Sequence, residues 1–373
     1  MIFMKKLKKI IRFSLIYGPV RTWFKLAGRA RVKLGMFRPW VRRRNLDVGV
    51  IGCGQFAFST IGYSLSKHYG SRFVDCYDID SLAQASFANF YRIKSHTRSA
   101  SKLINNDLVR YVYVASNHAS HAEYAVDALD AGKVVYIEKP IAVTRAQLNK
   151  LSKSVMRSKK PIYVGYNRPF SPAVTKLRGL VKNQSGPVTL NCFISGHYIE
   201  PDHWYRDPNE GTRICGNVGH WLDLAIHILN WDKLADRWQV TIGYSDLTVR
   251  DDNNSITLAS DRGDLIVIVL TARSEPFEGI NETINFQQQD TICKIDDFRK
   301  MKVWQASKIL KYRFWPKDVG HKNALLQPFV NKSYRDWSEI EKSTLLMLHI
   351  ADMVKTGKEI SWFSFEDALE SVR

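Results

Sequence analysis

The stretch VGVIGCGQFAFSTIGYSL, residues 48–65, decides how the first half of the chain folds. A short, nearly continuous apolar run leads into Gly52, Gly54 and Ala57, which follow the spacing G-x-G-x-x-A. In this pattern the first glycine permits a tight turn, the second lets the backbone approach a pyrophosphate, and the third small residue packs the helix against the strand. The pattern predicts a dinucleotide-binding turn, although small residues also occur at ordinary tight turns between a strand and a helix.

A carboxylate ends the next apolar run, RFVDCYDID, which reads as a second strand. Asp78 lies 21 residues beyond Ala57, where a carboxylate accepts hydrogen bonds from the adenosine ribose hydroxyls. Because the same charge repels a 2'-phosphate, the sequence favours NAD over NADP as the cofactor. Asp80 competes with Asp78 for this role, and either residue could instead form a turn or cap a helix.

Strand and helix patterns alternate up to about residue 165, which predicts a doubly wound parallel sheet. Ligands of such sheets bind at the carboxyl ends of the strands, where polar residues follow several of the apolar runs. After residue 185 strands follow one another with little helix between them, which indicates a mostly antiparallel sheet in an α+β domain. We therefore expect a basic arm over residues 1–45, a Rossmann domain over 46–165 and an α+β domain over 166–373.

Positive charge is concentrated in the arm, because residues 1–46 contain 14 Lys and Arg and no acidic residue, while the whole chain carries +19. A helical wheel separates an apolar side from a basic side. The apolar side holds Phe3, Leu7, Ile10, Ile11 and Ser14, and the basic side holds Lys5, Lys8, Lys9 and Arg12. The apolar run is far below the roughly 20 residues that span a bilayer.

An arm of this kind fits an anionic membrane surface. Four aromatic residues would anchor it at the interface: Trp23, Phe24, Phe37 and Trp40. The next alternative is an arm that is solvated, or packed on its own body or on a dimer mate, and nucleic acid is the least favoured partner. Five cysteines without CxxC or metal-ligand spacing favour free thiols in a reducing compartment. Together these features predict a cytoplasmic protein that lies peripherally on the inner face of the membrane.

Six blocks of the sequence together resemble the Gfo/Idh/MocA oxidoreductases over about residues 46–350. The blocks read VIGCGQFA, ASNHASHAEYAVDALDAGKVVYIEKPIAVT, VGYNRPFSPAVTKL, DHWYRDPNEGTRICGNVGHWLDLAIHIL, KIDDFRKM and DVGHKNAL. The resemblance implies a Rossmann domain, followed by an α+β domain whose large open sheet binds substrate and commonly mediates homo-oligomerisation. It implies hydride transfer between nicotinamide and a secondary alcohol carbon of a sugar or cyclitol. The later blocks resemble a subgroup associated with surface-polysaccharide synthesis, which implies a nucleotide- or lipid-linked sugar.

By this resemblance Lys139 and His220 are the catalytic residues. A lysine at a strand end can hold the substrate oxygen, and burial lowers its pKa for proton exchange. His220 would act as general base or relay, and Pro140 would fix the turn, often through a cis bond. The cofactor residues implied are Gly52, Gly54, Gln55, Phe56, Ala57, Asp78, Ser116, Asn117, His121, Glu138, Lys139 and Arg168. The substrate residues implied are Asn167, His203, Trp204, Tyr205, Asn217 and Asp223, with Arg206 in the same loop.

The chain departs from the family pattern just before His220. Many members have Asp four residues earlier, where this chain has Gly216, and the polysaccharide subgroup often has Glu three residues earlier, where it has Asn217. The loss of this carboxylate motivates an alternative, a catalytically inactive nucleotide-binding scaffold at the membrane surface. Asp223 and His227 share a helix face with His220, but no further ligands accompany them, so we expect no metal site.

Overall fold

The computed structural model of the chain describes residues 2–31, 43–94, 96–273, 280–330 and 335–370. Two of the predicted membrane anchors, Phe37 and Trp40, lie outside the described residues, as do the side chains of Phe3 and Lys5. The twelve α-helices of the described residues are α1 Ile2–Tyr17, α2 Pro19–Ala30, α3 Gly62–Tyr69, α4 Ser81–Tyr91, α5 Ala100–Ile104, α6 His121–Asp130, α7 Arg145–Arg157, α8 Pro172–Leu180, α9 Gly219–Leu229, α10 His321–Leu326, α11 Trp337–Thr356 and α12 Phe365–Glu370.

Five strands form a parallel sheet in the first domain. They are β1 Arg43–Ile51, β2 Ser71–Tyr77, β3 Tyr111–Val114, β4 Val134–Ile137 and β5 Ile162–Val164. Their order is β2-β1-β3-β4-β5, with α-helices in the connections, so the predicted doubly wound parallel sheet is confirmed. The register pairs Ile51 with Val114 and Val114 with Ile137, so the carboxyl ends of the three central strands meet at one edge. The functional loops follow this edge.

Nine strands form the sheet of the second domain. They are β6 Val188–Ser195, β7 Arg237–Tyr244, β8 Asn254–Ser260, β9 Leu265–Thr271, β10 Asn281–Gln288, β11 Thr291–Asp296, β12 Lys300–Gln305, β13 Lys308–Arg313 and β14 Ile360–Ser364. The order is β13-β12-β11-β10-β6-β9-β8-β7-β14, and every pair is antiparallel except β6 with β9. The predicted large, mostly antiparallel sheet is thus confirmed. Alternate side chains of its strands are buried in a core shared with α9 and α11, and the opposite face is open.

A segment beyond the second sheet returns to the first domain. Helix α10 and the turn after it place Leu325 and Phe329 against the first sheet, where the hydroxyl of Tyr113 donates to the carbonyl oxygen of Leu325 at 2.8 Å. The ring of Phe329 lies 4.7 Å from that of Tyr111. This return brings the start of α10 to the cleft between the two sheets.

The arm consists of helices α1 and α2, separated at Gly18. Helix α2 buries Phe24 and Ala27 against the first domain, and the last turn of α1 touches the second domain, where Trp315 Nε1 donates to the carbonyl oxygen of Leu15 at 2.8 Å. The arm therefore packs on its own body along much of its length. No helix in the described ranges has the length and apolar character needed to cross a bilayer.

Candidate active site

The glycine turn has the geometry that its two glycines predict. Gly52 has a φ of +91°, and a Cβ there would lie 2.4 Å from the backbone of Ala115 and Ser116, so no other residue fits. A Cβ on Gly54 would meet nothing within 4 Å, so this position faces open space. A helical segment begins at Gln55, continues as a π-helix over Ala57–Ile61 and leads into α3, and Phe58 N donates to the carbonyl oxygen of Gly54 at 2.9 Å. Free backbone N–H groups of this first turn are available to a pyrophosphate.

The side chains within the turn point in different directions. The amide of Gln55 is turned towards the arm, where Nε2 donates to the carbonyl oxygen of Lys25 at 3.3 Å. The ring of Phe56 lies 5.6 Å from that of His321, at the other end of the turn. Ala57 is fully buried against the sheet, as a small helix-packing residue should be.

The two aspartates after β2 both line the cleft but have different partners. Asp78 Oδ2 accepts from Cys53 N at 2.6 Å, which ties the end of β2 to the glycine turn. Asp80 is the N-cap of α4 and accepts from the backbone N–H groups of Leu82 and Ala83. Asp80 thus satisfies the helix terminus, and Asp78 is the carboxylate in contact with the glycine turn.

A cleft of about 690 Å³ runs along the carboxyl edge of the parallel sheet. Most of the residues predicted for the cofactor line it, namely Gly52, Gly54, Gln55, Phe56, Asp78, Ser116, Asn117, His121, Glu138 and Lys139, together with Trp204 from the substrate set. Its volume, the open space at Gly54 and the carboxylate of Asp78 fit a dinucleotide with its pyrophosphate at the start of the helical segment.

Glu138 and Lys139 follow directly after β4, and the charge of each acts on the other. Burial raises the pKa of Glu138 to about 7 and lowers the pKa of Lys139 to about 8. The Glu138 carboxylate accepts from the hydroxyl of Tyr136 at 2.7 Å, and a Cβ on Gly165 would lie 2.7 Å from it. Lys139 Nζ donates to the carbonyl oxygen of Gly216 at 2.7 Å, and the peptide bond to Pro140 is cis. The lysine therefore reaches across from the first sheet to the segment that carries His220.

Among the buried polar atoms without a hydrogen-bond partner in the described residues, two belong to the segment that Lys139 contacts at Gly216 and one belongs to the residue directly before Arg168. They are His220 Nδ1, Asn217 Oδ1 and Asn167 Oδ1. Burial, and then the charges of Arg168 and Lys139, lower the pKa of His220 well below its usual range, so the ring is neutral. Buried polar atoms in folded proteins are nearly always paired, so each of these three is a candidate contact for a polar ligand or water.

His118, Asn117 and His121 fix the loop after β3. The amide of Asn117 donates to Glu210 Oε1 at 2.6 Å, and the Nδ1 atom of His118 lies 3.0 Å from the carbonyl oxygen of Glu210. The ring nitrogens of His121 lie 2.8 and 3.1 Å from the carbonyl oxygens of Pro140 and Ser116. These contacts hold the loop between the Lys139 turn and the second domain. The role that the structure shows for the three side chains is therefore to position this loop.

Arg168 is committed to an ion pair in the second domain. Its guanidinium makes a bidentate contact with Glu282, at 2.8 and 3.2 Å, and lies 4.3 Å from the ring of Trp221. Trp221 Nε1 donates to the same carboxylate at 2.8 Å. Arg168 was predicted to lie along the cofactor cleft. Its contacts make it a buried cation whose charge lowers the pKa values of Lys139 and His220.

The loop predicted for substrate lies over the cleft. His203 is exposed and accepts from Tyr205 N, whereas Trp204 packs edge-on against the ring of His118, 5.0 Å away. A Cβ on Gly216 would lie 2.0 Å from the hydroxyl of Tyr205. The phenol of Tyr205 thus fills the space beside Gly216 that a side chain there would need.

Asp223 and His227 take part in helix packing instead of converging with His220. Asp223 pairs with Arg335 at 2.7 Å and accepts from Ser343, while His227 Nδ1 lies 2.8 Å from Glu339 Oε1. The contacts with Ser343 and Glu339 join α9 to α11, and Arg335 lies just before α11, so the predicted substrate role of Asp223 has no support in its surroundings. Among the described residues no group of three or more His, Cys, Asp or Glu could hold a metal ion.

Sequence reasoning gave no role to Arg31, Glu210 or His321. Arg31 lines the cleft, Glu210 holds the loop after β3, and the ring of His321 faces Phe56. His321 stands in the block DVGHKNAL, where Gly320 has a φ of +95° and a Cβ would lie 1.9 Å from the carbonyl oxygen of Asn167. The glycine directly before His321 was the sequence signal that could have indicated this residue. No comparable local pattern marked Arg31 or Glu210.

The fold and cleft define a two-domain protein of the kind that binds a dinucleotide on its first domain. Residues 46–166 match the Gfo/Idh/MocA model, described as an oxidoreductase family with an NAD-binding Rossmann fold. Over these residues the chain matches the family that its sequence blocks resemble.

Three relatives show what the chain is similar to. Oxidoreductase P35 of Formosa agariphila is 34% identical over 136 residues, 36% of this chain and 42% of that protein. Inositol 2-dehydrogenase of Ralstonia nicotianae is 28% identical over 193 residues, 50% of this chain and 54% of that protein. The chain thus spans about half the length of the curated relatives it matches. A levoglucosan dehydrogenase structure with NADH and L-sorbose shares the fold, with a TM-score of 0.71, 15% identity and coverage of 87% of this chain and 99% of that one.

Proposed function

We propose that the chain is an NAD-dependent oxidoreductase that interconverts a secondary alcohol and a ketone on a sugar. The observation that carries this proposal is the contact of Lys139 with the segment of Asn217 and His220, whose Oδ1 and Nδ1 atoms are buried and have no hydrogen-bond partner among the described residues. Hydroxyl groups can donate to such acceptors, and a polyhydroxy ligand offers several of them at once. The cleft lined by Gly52, Gly54 and Asp78 would hold the dinucleotide, which would supply a hydride acceptor for the alcohol carbon.

The residues of the chain handle the proton that must leave the hydroxyl. With a pKa of about 8, a fraction of Lys139 is a neutral amine near neutral pH, which can accept this proton and become an ammonium ion. In the reverse direction the ammonium ion donates the proton to the ketone oxygen. The neutral ring of His220 accepts a hydrogen bond at Nδ1 from a substrate hydroxyl, and the amide oxygens of Asn217 and Asn167 fix other hydroxyls.

NAD is the preferred dinucleotide in this proposal, because the carboxylate of Asp78, which lines the cleft beside the glycine turn, would accept from ribose hydroxyls and repel a 2'-phosphate. The substrate is a nucleotide- or lipid-linked sugar, as the resemblance to the surface-polysaccharide subgroup implies. Native mass spectrometry of the purified protein tests the cofactor preference: a bound mass of NAD(H) is expected, and a bound mass of NADP(H) in its place would contradict the preference for NAD.

The rival function is a scaffold that binds nucleotide without turnover. It is favoured by the absence of a carboxylate at Gly216 and Asn217, and by the engagement of Lys139 with the Gly216 carbonyl. Absorbance at 340 nm with NAD and a panel of free, UDP-linked and GDP-linked sugars separates the two functions. Tight NADH binding without turnover of any sugar in the panel supports the scaffold.

We further infer that the arm binds an anionic membrane surface through α1. Four apolar side chains form an exposed stripe on this helix: Met4 at 59% exposure, Leu7 at 43%, Ile11 at 52% and Leu15 at 69%. Lys8 and Arg12 are exposed beside the stripe, and Trp315 stands at its end. Exposed apolar stripes flanked by cations favour insertion into the headgroup region of anionic lipids.

Substitution on the stripe tests this inference better than truncation, because α2 packs against the first domain. The full-length protein should float with phosphatidylglycerol vesicles at low salt, and the combined Leu7→Glu, Ile11→Glu and Leu15→Glu variant should not. Leu108→Glu, at an exposed leucine far along the chain, is the matched control. Equal flotation of the wild type and the triple variant would contradict membrane binding.

A homo-oligomer is the last part of the proposal, formed through the open face of the nine-stranded sheet. Phe193 is exposed there and stands directly across from Val269. At the β11–β13 end, Lys294, Lys302 and Lys311 stand directly opposite one another, and such like charges disfavour contact with the same patch of a second copy. Sedimentation velocity should therefore show a dimer that Phe193→Glu dissociates and Lys311→Glu leaves intact.

A further inference from the structure

Helix α2 of the arm lies directly against the glycine turn. A Cβ on Gly28 would lie 3.0 Å from the amide of Gln55 and 3.1 Å from the ring of Phe58, so the two segments are in close contact. The ring of Phe24 packs on Tyr63 at 5.1 Å, and the amide of Gln55 donates to the carbonyl oxygen of Lys25. Whatever moves α2 therefore acts on the turn that receives the pyrophosphate.

Arg31, the residue after α2, extends this contact into the cleft. Its Nη1 donates to the carbonyl oxygen of Cys53 at 3.0 Å and to Ser86 Oγ at 2.9 Å. The guanidinium carbon lies 5.3 Å from the ring centre of Phe58, and the residue is one of those that line the cleft. Among the described residues Nε and Nη2 have no hydrogen-bond acceptor, so these two donors are available to a ligand.

The contacts of Arg31 place it at the adenosine side of the cleft. Cys53 also donates its N–H to Asp78, the carboxylate at the ribose position, and Ser86 lies on α4, which begins just beyond Asp78. Lys139, at the nicotinamide end, stands at another strand. A guanidinium has a fixed fork of donors that suits phosphate and ribose oxygens.

We propose that Arg31 is a dinucleotide-binding residue and that the N-terminal arm forms one wall of the cofactor site. Arg31 donates to oxygens of the adenosine ribose and its neighbouring phosphate, while Asp78 accepts from the ribose hydroxyls. This assignment rests on the proposed function, since it needs a dinucleotide in the cleft. It has a consequence for the arm: removal of the arm removes a ligand contact as well as the membrane-facing helix.

The test measures NADH binding to the full-length protein by the fluorescence of the bound nicotinamide, with displacement by ADP-ribose. Arg31→Ala should raise the Kd for NADH about tenfold, equivalent to about 1.4 kcal/mol, and the Kd for ADP-ribose by the same factor. Arg29→Ala is the matched control, because Arg29 is an exposed arginine on the same helix, and it should leave both constants unchanged. Arg31→Lys, which keeps the charge but loses the fork, should fall between them.

Two measurements distinguish a ligand-binding role of Arg31 from a purely structural one: the thermal midpoint of unfolding and the affinity for ADP-ribose. A variant that is destabilised but still binds ADP-ribose as tightly as the wild type overturns the proposal. Equal NADH affinity of Arg31→Ala and the wild type also overturns it, while the proposed function stands. Failure of the wild type to bind NADH or NADPH overturns both.

Discussion

Lys139 Nζ lies 2.7 Å from the carbonyl oxygen of Gly216 and donates a hydrogen bond to it. This bond joins the end of a strand in the parallel sheet to the segment that leads into α9, so it spans the two domains at the proposed reaction centre. The lysine is thereby held beside His220 without a carboxylate from that segment. The nearest acid by sequence is Glu138, whose own pKa is raised to about 7 by burial. We expect chemistry to depend on this lysine.

The pH dependence of the reaction tests the state of Lys139. Burial lowers the pKa of Lys139 to about 8, so the neutral amine increases as the pH rises through this value. Sugar oxidation needs the neutral amine, so kcat/KM should rise up to about pH 8 and then level off, whereas reduction needs the ammonium ion and should fall above it. Initial rates in both directions between pH 6 and 10 measure this.

Glu138→Gln is a control for the pH profile, because the direction in which it shifts the profile can be predicted. The Glu138 charge raises the pKa of Lys139, so its removal should move the ascending limb of oxidation to lower pH. A shift to higher pH would contradict the assignment of the limb to Lys139.

The two glycines of the turn should respond differently to alanine. Gly52→Ala places a Cβ 2.4 Å from the backbone of Ala115 at a φ of +91°, and should cost at least about 2 kcal/mol of unfolding free energy. Gly54→Ala enters open space, so it should change stability by less than about 1 kcal/mol while weakening NADH binding. Urea unfolding and NADH fluorescence measure the pair. Normal NADH affinity in Gly54→Ala would contradict the position of the pyrophosphate.

Gly216 and Tyr205 should behave as a coupled pair. Gly216→Ala places a methyl group 2.0 Å from the Tyr205 hydroxyl, and such overpacking typically costs about 1–3 kcal/mol. Tyr205→Ala makes room for the methyl group, so the double variant should be more stable than the sum of the single effects predicts. A double-mutant cycle by urea unfolding gives the coupling energy. Strict additivity would show that the two side chains do not share this space.

The buried pair of Arg168 and Glu282 should be costly to break. Glu282→Gln leaves the guanidinium and the indole N–H of Trp221 without a charged acceptor, and removal of one partner of a buried pair costs about 3–5 kcal/mol. Glu123→Gln, at an exposed glutamate on α6, is the control and should change the unfolding free energy by less than about 0.5 kcal/mol. A small effect of Glu282→Gln would mean that water reaches the pair.

The parts of the fold and site that follow local rules could be predicted from the sequence. Gly52 and Gly54 mark a strand-to-helix turn, Asp78 stands one strand later, and Lys139 ends another apolar run, so their meeting follows from the parallel sheet alone. Which aspartate is available to a ribose was not determined by spacing, because Asp80 suits a ribose and a helix cap equally well. Both line the cleft in the structure, and the carboxylate of Asp80 is engaged as the cap of α4.

The rest of the site depends on contacts between distant segments. Arg168 follows a strand of the first sheet, but its partner Glu282 is 114 residues further on, so its commitment to an ion pair had no local signal. Asp223 shares a helix face with His220, yet Arg335 draws it into the packing of α9 on α11. The arm was interpreted from its charge, while the residue that reaches the cleft, Arg31, has no pattern of its own.

The most direct test of the central claim is NADH formation at 340 nm by the wild type and by Lys139→Met, with NAD and a panel of free, UDP-linked and GDP-linked sugars. NADH affinity by fluorescence is measured in parallel on both proteins. We predict that at least one sugar is oxidised by the wild type and that Lys139→Met, which folds and binds NADH, turns it over at least about a thousandfold more slowly. Equal rates for the two proteins, or tight NADH binding by the wild type with no sugar oxidised, would contradict the account.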